Sequence, residues 1–245
     1  MWNKGQIAEH KDTAQKLDRI MRQTFKHISL SKNISEYEVS QFILRKFKEN
    51  NLKSDRDPPI VAFGKNTAYV HYFPAKKSST LKNNSLILID IWGRRVGSLP
   101  GVPFADITWM GAKGKPVSEA IKIFNIVLKA RDSCIRYIKN QLKKRIIPTG
   151  AKIDRVACKV IIDGGYGANI KHSTGHCIGF TSPHGIYGRI KHSNNKRLHI
   201  NLGYTIEPGI YLKNRFGARS EIDFYITQNW KLIITTPIQK KIIEI

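Results

Sequence analysis

Four acidic residues interrupt stretches that are otherwise apolar: Asp90 in SLILIDIW, Asp106 in FADITW, Glu207 in TIEPGIY and Glu221 in RSEIDFYIT. A buried carboxylate is costly unless a cation or hydrogen-bond donors receive it. Any fold built on these stretches must therefore bring something positive or donating to each acid. Two solutions are open. Arginines can pair with the acids, and Arg94, Arg95 and Arg219 lie nearby in sequence. Alternatively, the acids share divalent cations. Each acid taken singly fits a salt bridge. Taken with His176 they make a carboxylate-rich donor set with one imidazole, which suits manganese, iron, cobalt or zinc.

The elements around these acids can be read from apolar spacing. Leu17, Ile20, Met21, Phe25 and Ile28 recur at helical intervals, which predicts a helix over 14–28. Ser35-x-x-Glu38 is a capping-box pattern and announces a second helix through Phe42, Ile43 and Phe47. DRDPPIVAFGKNTAYVHYFP is punctuated by proline and glycine and reads as strand–turn–strand, and SLILIDIW as a buried strand. EAIKIFNIVLKARDSCIRYIKNQLKK and AKIDRVACKVII carry helical patterns. The latter should stop at Asp163-Gly164-Gly165, where glycine tolerates the left-handed conformation that ends helices. After Tyr166, GYTIEPGIYL, SEIDFYIT and KLIITTPIQKKIIEI read as strands, while 186–200 reads as a basic loop. Helices first and strands last point to an α+β fold.

The 245 residues suffice for a substantial core, and no linker-like break divides them. No apolar run nears the roughly 20 residues of a membrane helix. The polar start, MWNKGQIAEHKDTAQK, lacks the apolar centre of a signal peptide. Three cysteines without a C-x-x-C pair exclude a disulfide framework and make a cytoplasmic setting the simplest expectation. Charge is the unusual quantity: 42 Lys+Arg against 18 Asp+Glu leave +24. That balance suits a nucleic-acid or other anionic partner. Its even spread favours instead a solvated basic surface.

Histidines add a second pattern, His172 and His176 four apart in HSTGHCIGF. This segment, TIEPGIYL and GARSEIDFYIT, in order with PPIVAFGKNTAYVHY, LILIDIW and FADITWMG, resembles the pita-bread metallopeptidases in the branch of Xaa-Pro aminopeptidases and prolidases. The resemblance runs from the capping box near Ser35 to ITTPIQ. It implies a pita-bread (creatinase/aminopeptidase) fold, a curved antiparallel sheet flanked by helices. It further implies that residues 1–245 form a single catalytic domain, with leading helices over 1–55 and no separate N-terminal creatinase-type domain. Carried over by position, it implies two divalent ions, manganese first with cobalt, iron and zinc as alternatives. Asp106 and Glu221 would bridge the ions, Asp90 would bind one, and His176 and Glu207 the other. Glu207 would also be general base for a hydroxide bridging the ions, in hydrolysis of the N-terminal bond of Xaa-Pro peptides. His71, His172 and His184 would face the peptide substrate, and Arg219 would orient the carboxylates. A homodimer is compatible with the family. The competing expectation is an inactive pita-bread protein whose basic surface binds RNA, ribosomes or another anionic partner.

Three features depart from the resemblance. Asp90 and Asp106 stand sixteen residues apart, which requires an enlarged hairpin over GRRVGSLPGVPF. His184 arrives one residue later than in the pattern. Cys177 stands where a small residue is usual and is expected to be a packed thiol. His10, His27, His192 and His199 attract no role.

Overall fold

The computed structural model describes residues 1–97 and 101–245. Helices α1 (Lys4–Leu30) and α2 (Glu36–Glu49) come first. Strands β1 (Leu52–Lys53), β2 (Ile60–Phe63), β3 (Leu86–Arg95) and β4 (Ala105–Ala112) follow. Then come α3 (Ser118–Lys143) and α4 (Gly150–Asp163), and strands β5 (Gly175–Ile178), β6 (His184–Ile190), β7 (Gly203–Ile206), β8 (Gly209–Leu212), β9 (Phe216–Arg219), β10 (Ile222–Ile226), β11 (Leu232–Ile234) and β12 (Ile243–Glu244).

One sheet has the order β1-β3-β4-β12, with β2 also paired to β3. A second runs β11-β10-β7-β5-β6, and β8 with β9 forms a separate ribbon. Only β12 with β4 is parallel among these pairings. The two large sheets meet where β4 abuts β10. There the Glu221 N–H donates to the Thr108 carbonyl at 3.3 Å and the Asp106 N–H to Asp223 Oδ2 at 2.8 Å.

β3 separates two cores by alternation. Side chains along a strand point to opposite faces with period two. Ile87, Ile89 and Ile91 join Leu17, Ile20, Met21 and Phe25 of α1 and Val39, Ile43 and Phe47 of α2 in one cluster. Leu86, Leu88 and Trp92 belong to the other cluster, shared with α3, α4 and the second sheet. Asp90 lies on that second face. A strand buried on both sides reads as a continuous apolar run, which is why LILIDIW shows no polar alternation.

Several sequence expectations are corrected. The first helix begins ten residues earlier than position 14, because Asn3 and Gln6 form a capping box: Gln6 N–H donates to Asn3 Oδ1 at 2.9 Å and Asn3 N–H to Gln6 Oε1 at 3.0 Å. The 55–74 segment contains one strand, not two. After β2, Gly64 takes a φ of +52° and the chain winds into a 3-10 turn over Gly64–Ala68. Residues 186–190 belong to β6 and are not loop. Gly164 remains right-handed at φ −74°, and Gly165, at +88°, supplies the left-handed stop. The acids Glu207 and Glu221 sit just beyond β7 and just before β10, at junctions and not inside strands. Part of the 93–104 hairpin lies outside the described residues. Replacing Asn3 by Ala should cost about 1 kcal/mol in urea unfolding through the lost cap. An unchanged midpoint would refute the cap.

Candidate metal centre

Cross-strand register assembles half of the site. In the β3–β4 hairpin Asp90 stands opposite Thr108 and Trp92 opposite Asp106. These four therefore share one face, and a longer hairpin tip leaves that register intact. The other half comes from the second sheet: β5 carries His176, the β7–β8 junction Glu207, and the β9–β10 junction Glu221. All five expected ligands line one cavity of about 590 Å³, together with His71, His172, His184 and Arg219.

Asp106, His176 and Glu221 each present a ligand atom, and these atoms lie within 4.8 Å of one another. His176 Nε2 stands 3.4 Å from Glu207 Oε1 and 3.9 Å from Asp106 Oδ2. Asp90 is held differently. Its Oδ2 accepts from Arg219 Nη2 at 2.5 Å, while its Oδ1 is buried without a hydrogen-bond partner. Asp106 Oδ1 is likewise buried and unpartnered. The salt-bridge solution therefore applies to one oxygen of one acid. Arg95 pairs instead with Glu9 at 2.5 Å, and Arg94 lies over the Phe104 ring.

Electrostatics give the same picture. Burial first, and the neighbouring carboxylates second, push Asp106 and Glu221 well above the usual range. Burial raises Glu207 to about 7 against the opposing pull of Arg219. His176 is lowered to about 3 by burial and by nearby His184, so it is neutral. Its Nδ1 lies 3.0 Å from the Cys177 carbonyl. A carbonyl only accepts, so Nδ1 carries the proton and the Nε2 lone pair is left toward the acids. Unpartnered carboxylate oxygens, a neutral imidazole with an aimed lone pair and an acid cluster bonded to one arginine fit divalent cations. Asp90, Asp106, His176, Glu207 and Glu221 are the residues that could hold them.

The substrate-side expectations have distinct outcomes. His71 is exposed on the segment after the 3-10 turn and lines the cavity. His172, lowered to about 3 chiefly by burial, lies 2.9 Å from the Ser173 carbonyl through Nδ1 and accepts from the Tyr211 hydroxyl at 2.8 Å through Nε2. That second nitrogen is thus engaged by the protein. His184 stacks edge-on against His176 with ring centroids 4.2 Å apart. Its late arrival is absorbed by a step in the β5–β6 register. His176 pairs with Arg189 but Ile178 with His184, so residues 185–188 stand opposite Cys177 alone. Cys177 is fully buried and its sulfur accepts from the Tyr187 N–H at 3.1 Å, as expected of a packed thiol.

Arg219 is bonded into the acid cluster: besides holding Asp90, its Nε donates to Thr108 Oγ1 at 3.1 Å, and that hydroxyl donates to Glu221 Oε2 at 2.8 Å. Sequence reasoning missed the other supports. Tyr211 receives Arg219 Nη1 at 3.3 Å. Asp154 accepts from the Thr174 N–H at 3.1 Å and hydroxyl at 2.7 Å, fixing the loop before His176. His10, given no role, is buried 2.8 Å from the Phe104 carbonyl and 3.9 Å from Asp223, the acid that holds the Asp106 backbone. Only Tyr211 and Asp223 carried a signal, since both fall inside quoted motifs. Arg189, cross-strand neighbour of His176 and part of the cavity wall, was also overlooked.

Largely antiparallel sheets backed by helices, with a carboxylate–imidazole cluster between them, define the pita-bread metallopeptidase class. The chain belongs to metallopeptidase family M24, whose model matches residues 8–228. It is 31% identical over 210 residues to an uncharacterized peptidase of Staphylococcus epidermidis, covering 84% of this chain and 54% of that protein. An X-Pro aminopeptidase from Thermotoga maritima superposes with a TM-score of 0.84 at 25% identity, over all of this chain and 64% of the other. A recombinant prolidase from Thermococcus sibiricus gives 0.84 at 26% identity, over 100% and 62%. The chain thus spans about half the length of the curated relatives it matches.

The raised Glu207 carries a pH signature. A carboxylate whose folded value of about 7 exceeds its unfolded value favours folding at low pH and loses that contribution as pH rises through about 7. Glu207→Gln should therefore gain stability relative to the metal-free parent between about pH 4.5 and 7. Melting both proteins in chelator at pH 5 and pH 8 checks this, and a gap that does not open with pH would contradict it.

Proposed function

We propose that the chain is a metal-dependent peptidase that releases the N-terminal residue from peptides, with proline following the scissile bond. The observation that carries this reading is the convergence of Asp106, His176 and Glu221 within 4.8 Å, beside Glu207 and Asp90, in one cavity. The family membership and the superposition on an X-Pro aminopeptidase support it.

Two divalent ions bound by these five residues, manganese first among the candidates, would acidify a water near neutral pH and draw charge from the scissile carbonyl. Glu207, poised near neutrality, takes a proton from the attacking water and delivers it to the departing amine. Thr205 fixes this carboxyl: its hydroxyl donates to Glu207 Oε1 at 3.3 Å and accepts from the His176 N–H at 3.1 Å. Arg219 and Thr108 keep Asp90 and Glu221 facing the cavity. His172, held by Tyr211 and standing 3.8 Å from Glu207 Oε2, forms the wall beside the general base. His184, edge-on to His176, and His71 line the cavity wall, where the residue after the bond is received. Arg189 adds a cation to the rim, suited to a carboxylate on a short peptide.

Manganese-loaded protein should release the first residue from an Xaa-Pro peptide panel, with two equivalents of metal by elemental analysis. Glu207→Gln should lower turnover by about 10²–10⁴-fold while the circular dichroism spectrum is unchanged. Near-normal turnover in the variant would refute the role given to Glu207. Failure to take up metal, together with salt-sensitive RNA binding, would replace the peptidase with the inactive binding protein.

A further inference from the structure

Glu36, at the start of α2, is completely buried and lies outside the metal centre. A buried carboxylate must be repaid by donors, and here four are in place. Oε1 accepts from the Phe63 N–H at 2.7 Å and from Asn66 Nδ2 at 2.9 Å. Oε2 accepts from the Tyr72 hydroxyl at 2.7 Å and from the Ser79 N–H at 3.0 Å. Every donor belongs to one stretch, residues 63–79, whose regular structure after Phe63 is the single 3-10 turn. The same helix start also pins the far end, since the Glu36 N–H donates to the Ser79 carbonyl at 3.0 Å and the Leu81 N–H to the Ile34 carbonyl at 2.9 Å.

That stretch forms one wall of the cavity through Val70, His71 and Phe73. His71 and Phe73 are exposed and have little packing of their own to hold them. The opposite side of the stretch is tied to β9: the Gly217 N–H donates to Thr67 Oγ1 at 2.9 Å and Arg219 Nη1 to the Val70 carbonyl at 3.4 Å. Arg219 is also the residue that holds Asp90. The wall is thus suspended between Glu36 on one side and the metal-centre arginine on the other.

We propose that Glu36 is a positioning residue: through Tyr72, Asn66 and Ser79 it holds residues 69–73 against the cavity, so that His71 and Phe73 form the surface meeting the residue after the scissile bond. This rests on the peptidase reading. The carboxylate suits the task because four lone-pair sites on two oxygens match four donors on one loop. Its neutral isostere cannot do the same, since an amide nitrogen would oppose either the Phe63 or the Ser79 N–H.

Two readouts test this. Lys76 and Lys77 are exposed within the stretch, and cleavage after them by trypsin reports local opening of the segment, with or without metal. Glu36→Gln should accelerate that cleavage by about tenfold and raise KM for an Xaa-Pro peptide by a similar factor, with kcat within about twofold. Tyr72→Phe removes one donor, leaves the carboxylate three, and should change both in the same direction by less. It decides the matter if Glu36→Gln does not fold. Unchanged cleavage in both variants, or a fall in kcat at constant KM, would overturn the proposal. A parent protein inactive on every peptide would defeat the peptidase reading and the wall's assignment with it, while the trypsin comparison would still decide whether Glu36 clamps the stretch.

Discussion

Three buried carboxylates and a part-buried fourth around one cavity, with one arginine bonded to Asp90, repel each other, and the rest of the site is arranged to hold that repulsion in place. Asp106 and Glu221 are pushed far up by burial and by their neighbours. Left to relax, such acids would turn to solvent. Here Asp223 grips the Asp106 backbone, Thr108 the Glu221 side chain and Arg219 the Asp90 carboxyl. Positive charge placed among these acids would relieve that repulsion. The fold supplies rigidity by burying β3 on both faces.

The supports form a connected web. Arg219 touches Asp90, Thr108, Tyr211 and Val70, and so joins the β8–β9 ribbon to the first sheet and to the exposed wall. Tyr211 in turn holds His172, and Thr205 couples His176 to Glu207. Networks of this kind are worth more than their separate bonds when every member is satisfied. Three acids of this web keep a buried oxygen without a partner: Asp90 and Asp106, which line the cavity, and Asp223, which holds the Asp106 backbone.

Much of this was legible in the sequence, for a physical reason. An acid inside an apolar run carries its own cost, so Asp90, Asp106, Glu207 and Glu221 could be singled out before any fold was known. The helices over 36–49 and 118–143 announced themselves by cap and period. Residues whose meaning depends on distant partners stayed silent. His10 looks like one polar residue ahead of the predicted helix until α1 is laid across β4. Asn3 looks like a terminal residue until its side chain meets the Gln6 N–H. Glu36 reads as an ordinary first-turn acid, although it collects donors from up to 43 residues away. The second strand expected in 55–74 fails for the same reason, since those side chains are drawn to the start of α2 and not to a neighbouring strand.

The stepped register between β5 and β6 has one last consequence. His176 sits on the inner member of the pair, locked by β7 on its other side, whereas the excess residues are all on the outer member. Length variation in the outer ribbon is therefore taken up as a bulge over a single sulfur atom, without disturbing the inner strand. A lineage could lengthen or reshape this rim, and with it the range of molecules admitted, while the chemistry beneath stayed fixed.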